Sequence, residues 1–148
     1  MILYEIKVKY ARQTGEESPS AAKPELYLFE GINCTDVETR LMEYIKPYVF
    51  MGDDIEVKHC RAVQYYDVYN ENGNAEEFYK MGVEFKEISE SGKERIKKRN
   101  VLTRANDIDE ALRLTRKEVE KLDGRVVSIS KTKILDFVRL LHETPAAE

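Results

Sequence analysis

Apolar and charged residues alternate from Tyr4 to Tyr10, so Tyr4, Ile6, Val8 and Tyr10 share one face and Glu5, Lys7 and Lys9 the other. That period of two predicts a half-buried strand. Residues 12–23, with Gly15, Ser18, Pro19 and Ser20, predict a loop, and Leu26–Phe29 a second strand. Asn33 has the chemistry of a helix N-cap, and Val37, Leu41, Tyr44, Ile45 and Tyr48 follow at helical spacing. Pro47 cannot sit in a helix interior, so the helix should end beside it. Gly52-Asp53-Asp54 predicts a turn. Ile55–Tyr69, rich in β-branched and aromatic residues, predicts one long or bulged strand, and Asn72-Gly73 a break.

The second half runs in the same order. Tyr79, Met81, Val83 and Phe85 alternate as Tyr4, Ile6, Val8 and Tyr10 do, at an offset of 75 positions. Ser91-Gly92-Lys93 predicts a hairpin turn and Arg95–Arg104 a strand. Asp107 with Glu110 has the capping-box pattern. Ile108, Ala111, Leu112, Thr115, Val119 and Leu122 form the inward helical stripe, with Gly124 as the left-handed cap. Residues 125–140 predict a long strand, and residues 142–148 a frayed tail. The motif Tyr65-Tyr66-Asp67-Val68 has its counterpart in Ile134-Leu135-Asp136-Phe137. The expected fold is therefore α+β, a tandem duplication of a β-β-α-β unit with antiparallel sheets and both helices packed on one side. Residues 1–74 and 75–148 are the expected repeats of a single compact domain. A unit of about 70 residues has little to cover its own apolar face, so the halves are expected to share a core.

Several of these stretches also carry a family resemblance. They are residues 4–10 (YEIKVKY), 44–48 (YIKPY), 70–73 (NENG), 78–81 (FYKM), 91–94 (SGKE) and 105–112 (ANDIDEAL). In this order the chain resembles a bacterial family known only as domain of unknown function 4494. The resemblance implies a small soluble bacterial protein, and it implies no reaction and no catalytic residues.

Composition narrows the functional classes. The net charge of −4 and pI of about 5.4 argue against a dedicated nucleic-acid binder. The charge is uneven, however. Residues 1–74 carry 8 Lys and Arg against 13 Asp and Glu, and residues 75–148 carry 16 against 15. Two cysteines, Cys34 and Cys60, cannot build the disulfide framework of a secreted scaffold, so a reducing, cytoplasmic setting is expected. No signal-peptide pattern opens the sequence and no apolar run is long enough to span a bilayer, so no membrane association is expected.

Candidate chemistry is sparse. A thiolate at Cys60, beside Lys58, His59 and Arg61, would be a nucleophile. On a strand, though, His59 and Cys60 point to opposite faces, and a small buried cysteine is the simpler reading. Cys34 aligns with Ile108 and is read as a core residue. His59 and His142 lie far apart in sequence, and no zinc spacing occurs. Asp53-Asp54 and the Asp107, Asp109, Glu110 group could hold a cation loosely, the latter being better explained by helix capping. No catalytic residue, metal site or cofactor is indicated.

The sharpest functional signal is basic. Lys93, Arg95, Lys97 and Arg99 alternate on one strand face, with Arg104 beyond and Tyr65, Tyr66, Tyr69 and Tyr79 near in sequence. Cations for phosphates and aromatic faces for bases suit single-stranded nucleic acid. Cations on an edge strand also serve to block unwanted strand pairing. The expected function is a non-catalytic binding or assembly module. Weak RNA or single-stranded DNA binding through residues 93–104 is the first alternative, and a thiol-dependent enzyme around Cys60 the second. Of partners, nucleic acid and a second copy of the chain remain open.

Overall fold

A computed structural model describes residues 2–13, 22–51 and 54–140. The order of elements is β1 (Ile2–Tyr10), β2 (Lys23–Gly31), α1 (Cys34–Ile45), β3 (Glu56–Val63), β4 (Asp67–Tyr69), β5 (Glu77–Ile88), β6 (Glu94–Ala105), α2 (Ile108–Val119), β7 (Gly124–Lys131) and β8 (Ile134–Val138). The fold is α+β, with two helices and two four-stranded sheets. Most of the predicted 12–23 loop, the Gly52-Asp53 part of the predicted turn and the 142–148 tail lie outside the described residues.

The sheets have strand orders β3-β1-β2-β8 and β7-β5-β6-β4. β1 pairs antiparallel with β2 and β3, and β5 with β6 and β7. β4 adds to β6 in parallel, so the second sheet is mixed. The two central strands correspond closely. The β1–β3 register shifts between Lys7 and Val8, and the β5–β7 register shifts between Gly82 and Val83, 75 positions on.

The run from Ile55 to Tyr69, expected as one strand, is two. β3 ends at Val63 in the first sheet, and β4 begins at Asp67 in the second. Residues 125–140 divide in the same way, with β7 in the second sheet and β8 in the first. No glycine or proline marks either change of sheet, so strand propensity alone reads straight through it. In each strand that follows, at the start of β4 and within β8, an aspartate accepts from the next backbone N–H. Val68 N donates to Asp67 Oδ1 and Phe137 N to Asp136 Oδ1, each at 2.8 Å.

The chain divides into two compact units. One holds Met1–Val63 and the chain from Asp136 onward, and the other is Gln64–Leu135. In the first, the alternation of β1 buries Tyr4, Ile6, Val8 and Tyr10 with Tyr27 and Phe29 of β2 against Val37, Leu41 and Ile45 of α1. In the second, Tyr79, Met81, Val83 and Phe85 pack with Val101 and Ala105 against Ala111, Leu114 and Val119 of α2. Each large side chain so enclosed contributes about 1.5–3 kcal/mol. Each unit thus has its own helix-covered core.

Both helices begin the same way. Asp36 N donates to Asn33 Oδ1 and Glu110 N to Asp107 Oδ1, each at 2.8 Å. The acidic side chain then reaches one residue further back than a capping box requires, so that Ile32 N donates to Asp36 Oδ2 and Asn106 N to Glu110 Oε1, both at 3.1 Å. α1 stops at Ile45, and Pro47 sits in a short 3-10 turn after it. On α2 the buried stripe runs through Ala111, Leu114, Thr115 and Val119, while Ile108 at its first residue and Leu122 beyond its end are exposed. The left-handed residue after α2 is Asp123 (φ 55°) and not Gly124, which already opens β7. Gly124 is needed for another reason: a Cβ there would lie 2.7 Å from the Phe85 ring.

Candidate functional site

The expected basic strand is β6, and its two halves have different environments. Val101, Leu102, Thr103 and Ala105 are buried. From Glu94 to Asn100 the strand is exposed except at Lys97, which is half-buried. β4 pairs with β6 only from Val101 to Thr103, while β5 runs alongside from Glu94 onward. Lys97, Lys98 and Arg99 therefore ride on the part of β6 whose β5 partner is itself paired with β7, and only Glu94–Ile96 with Lys86–Ile88 forms a two-stranded ribbon beyond it. The Ser91-Gly92-Lys93 turn closes the ribbon. Gly92 takes φ +81°, its N–H donates to Ser89 O at 2.8 Å, and Ser89 N donates to Lys93 O at 2.8 Å. A left-handed residue is what such a tight reversal needs, and glycine adopts it without strain.

Register decides which cations share a face. Arg99 is opposite Val83, Lys97 opposite Phe85 and Arg95 opposite Glu87. Arg95, Lys97 and Arg99 thus extend the face that carries the α2 core. Of the four cations expected on one strand face, these three alternate so, while Lys93 lies in the turn before β6. Lys97 Nζ is held 2.9 Å from Glu87 Oε2. Lys93, Arg95 and Arg99 are exposed and make no ion pair among the described residues; Arg99 Nη1 donates to Lys98 O at 3.0 Å.

Arg104 does not join them. It lies on the opposite face, across from Phe78, with its guanidinium 5.1 Å from that ring centroid. Its Nε donates to Ala75 O at 2.6 Å and Nη1 to Asn70 Oδ1 at 3.4 Å. These contacts pin the segment leading into β5.

The tyrosines separate as sharply. Tyr79 is core, and Tyr69 packs half-buried against the same core. Burial, with Asp67 nearby, pushes the Tyr69 phenol up to about 12. Tyr66 is 51% exposed, and its ring lies 4.9 Å from that of Phe85 with a 42° tilt. Its N–H donates to Asn100 O at 2.7 Å, which ties it to the exposed half of β6. An aromatic surface thus borders the Lys97–Arg99 stretch. A shallow groove of about 570 Å³ is lined by Glu84, Phe85, Lys86, Ile96, Asp123 and Arg125. Arg125 is already engaged there, 3.0 Å from Glu84 Oε2.

In the first unit, β1–β3 register sets Cys60 opposite Ile6 and His59 opposite Lys7, on different faces of the sheet. His59 Nε2 comes within 3.9 Å of Glu5 Oε1, to which Arg61 also binds at 3.0 Å. Cys60 faces the core, where its side chain meets that of Cys34. Burial first, then the Cys34 contact and the charge of Glu38, push the Cys60 thiol up to about 12. It therefore holds its proton at neutral pH, which is the opposite of an activated nucleophile.

A second polar cluster lies at the end of β1 and β2. Tyr27 Oη donates to Glu25 Oε1 at 3.0 Å, and Arg12 Nε donates to Glu25 Oε2 at 3.3 Å beneath the Tyr48 ring. Burial, and the Glu25 carboxylate after it, raise the Tyr10 phenol to about 12 and that of Tyr27 higher still. Both phenols stay neutral, so the cluster serves structure better than acid–base chemistry.

Sequence reasoning separated the exposed cations from nothing but their own neighbours. The special standing of Tyr66 and the meeting of Cys34 with Cys60 depend on strand register, which leaves no local signal. Among the described residues no group of three or more His, Cys, Asp or Glu could hold a metal ion, and no helix is long and apolar enough to cross a membrane. No curated protein matches the chain. A family description does match, over residues 2–140, under the name domain of unknown function (DUF4494), and the chain belongs to that family.

Proposed function

We propose that this protein is a non-catalytic binding module and that its second unit engages single-stranded nucleic acid through the exposed half of β6. One observation carries the reading. Arg95, Lys97 and Arg99 share one face of the exposed half of β6, and the exposed Tyr66 ring lies beside it. Cations neutralise phosphates, and an exposed aromatic face stacks on a base of any identity. Lys93 at the turn extends the basic track. Arg104 drops out of the interface, because its guanidinium is committed to Ala75 and Asn70.

The test is fluorescence anisotropy with a labelled single-stranded oligonucleotide across a salt series. Affinity should fall with salt at a log–log slope of about −0.7 for each phosphate contact. Lys97→Glu with Arg99→Glu should abolish binding, and Tyr66→Ala should weaken it without changing the slope. Absent or salt-insensitive binding overturns the reading.

Two further readings are weaker. The uncovered edge of β6 supports assembly of copies through strand pairing, but its cations oppose that. A thiol enzyme around Cys60 is disfavoured by the protonated, core-facing thiol. The like strand orders, register shifts and helix caps support descent of the two halves from one duplicated β-β-α-β unit. The two free cysteines support a reducing, cytoplasmic setting, and the resemblance supports a bacterial source.

A further inference from the structure

Cys34 and Cys60 stand 26 positions apart in sequence, yet both side chains pack on the same core of the first unit. Cys34 opens α1, directly after the Asn33 cap, and Cys60 faces α1 from β3. Both are free, and both are partly open to solvent. Their side chains are in contact. The second unit shows what packing alone asks of these positions. Ile108 opens α2 as Cys34 opens α1, and Ile129 is opposite Met81 as Cys60 is opposite Ile6. Isoleucine occupies both sites there, exposed at Ile108 and packed on the core at Ile129, so neither position of the fold calls for sulfur.

We propose that Cys34 and Cys60 form a reversible oxidation site, in which peroxide converts the two thiols into an intramolecular disulfide between α1 and β3. The step balances in two stages. Cys34 sulfur attacks one peroxide oxygen, the O–O bond breaks, and Cys34 sulfenic acid and one water form. Cys60 sulfur then attacks Cys34 sulfur, the S–O bond breaks, and the Cys60 proton leaves with the hydroxyl as a second water. Both electrons taken up by peroxide come from the sulfur pair. Cys60 keeps its proton until the second stage, so Cys34 is the attacking sulfur and Cys60 the resolving one. A small dithiol reverses the reaction by exchange. The site is independent of the basic ribbon, since all its residues belong to the first unit.

The experiment treats the purified full chain with hydrogen peroxide, then counts free thiols and maps peptides under non-reducing conditions. Both thiols should disappear together, the intact mass should fall by two hydrogens, and one cross-linked peptide pair should join Cys34 to Cys60. Dithiothreitol should restore both thiols. Cys60→Ser should leave a Cys34 sulfenic acid that a dimedone probe captures, whereas Cys34→Ser should slow oxidation of Cys60 by at least tenfold. Persistence of both thiols, separate over-oxidation of each sulfur, or linkage only between chains would overturn the proposal. The wild-type peptide map decides the matter even if a serine variant folds poorly.

Discussion

Thr103 of β6 and Thr115 of α2 are both fully buried, and their hydroxyl oxygens lie 2.6 Å apart. Thr115 Oγ1 also donates to Ala111 O at 2.7 Å, which uses its single hydrogen. Thr103 must therefore be the donor to Thr115. Removing the acceptor strands a buried donor, whereas removing the donor leaves the Ala111 bond intact. Thr115→Val should cost about 1–3 kcal/mol and Thr103→Val about 1 kcal/mol. The double valine variant should cost less than the two together. Urea unfolding of the three variants checks the order, and strict additivity would refute the pairing.

Gly124→Ala drives a methyl group against Phe85, at 2.7 Å and 2.9 Å from two ring carbons, and 3.0 Å from Val119 O. A packed ring and a backbone carbonyl yield little, so the expected cost is about 1–3 kcal/mol. Asp123→Gly, one residue earlier, relieves a left-handed φ of 55° while adding freedom to the unfolded chain. These effects offset each other, and a change within about 0.5 kcal/mol is expected. Thermal melts of the pair would show whether space or backbone geometry governs this corner.

Asn33→Ala and Asp107→Ala each remove one side-chain acceptor from the first turn of a helix, and the lost bonds are alike at 2.8 Å. Each should cost about 1 kcal/mol. Denaturant midpoints check the prediction, and a cost at one cap but not at the other would contradict the equivalence of the two helix starts.

The phenols of Tyr10, Tyr27 and Tyr69 are all held above their ordinary value, chiefly by burial. An unfolded tyrosine ionises near pH 10, so the native state keeps protons that the unfolded state has already lost. The stability this represents is fully present below pH 10 and is lost as the pH rises from there through about 12. Urea midpoints should therefore be level from pH 7 to 9 and fall above pH 10. Tyr10→Phe should flatten part of that fall. A midpoint indifferent to alkali up to pH 11 would contradict it.

What could be read from the residues alone follows the range of the forces involved. β1, β5 and both caps are written locally, by alternation at Tyr4–Tyr10 and Tyr79–Phe85 and by Asn33 and Asp107. The breaks after Val63 and Lys131 are not, because Ala62–Tyr66 and Lys131–Ile134 differ little in propensity from the strands around them. Where each strand goes next is decided by pairing with β6 or β2, tens of residues away. The candidate site divides in the same manner. The alternation of Arg95, Lys97 and Arg99 is local and was legible. The commitment of Arg104 to Ala75 and Asn70 was not, and neither was the contact of Cys60 with Cys34.

The placement of β8 beside β2 has a consequence for synthesis. A ribosome delivers β1, β2, α1 and β3 first, yet the outer neighbour of β2 is encoded by residues 134–138, after every strand of the second sheet. The earlier-made sheet must therefore wait, with one flank unfinished, until β4 to β7 have been made. Its completion depends on synthesis of the second sheet's strands and not on its own first three alone.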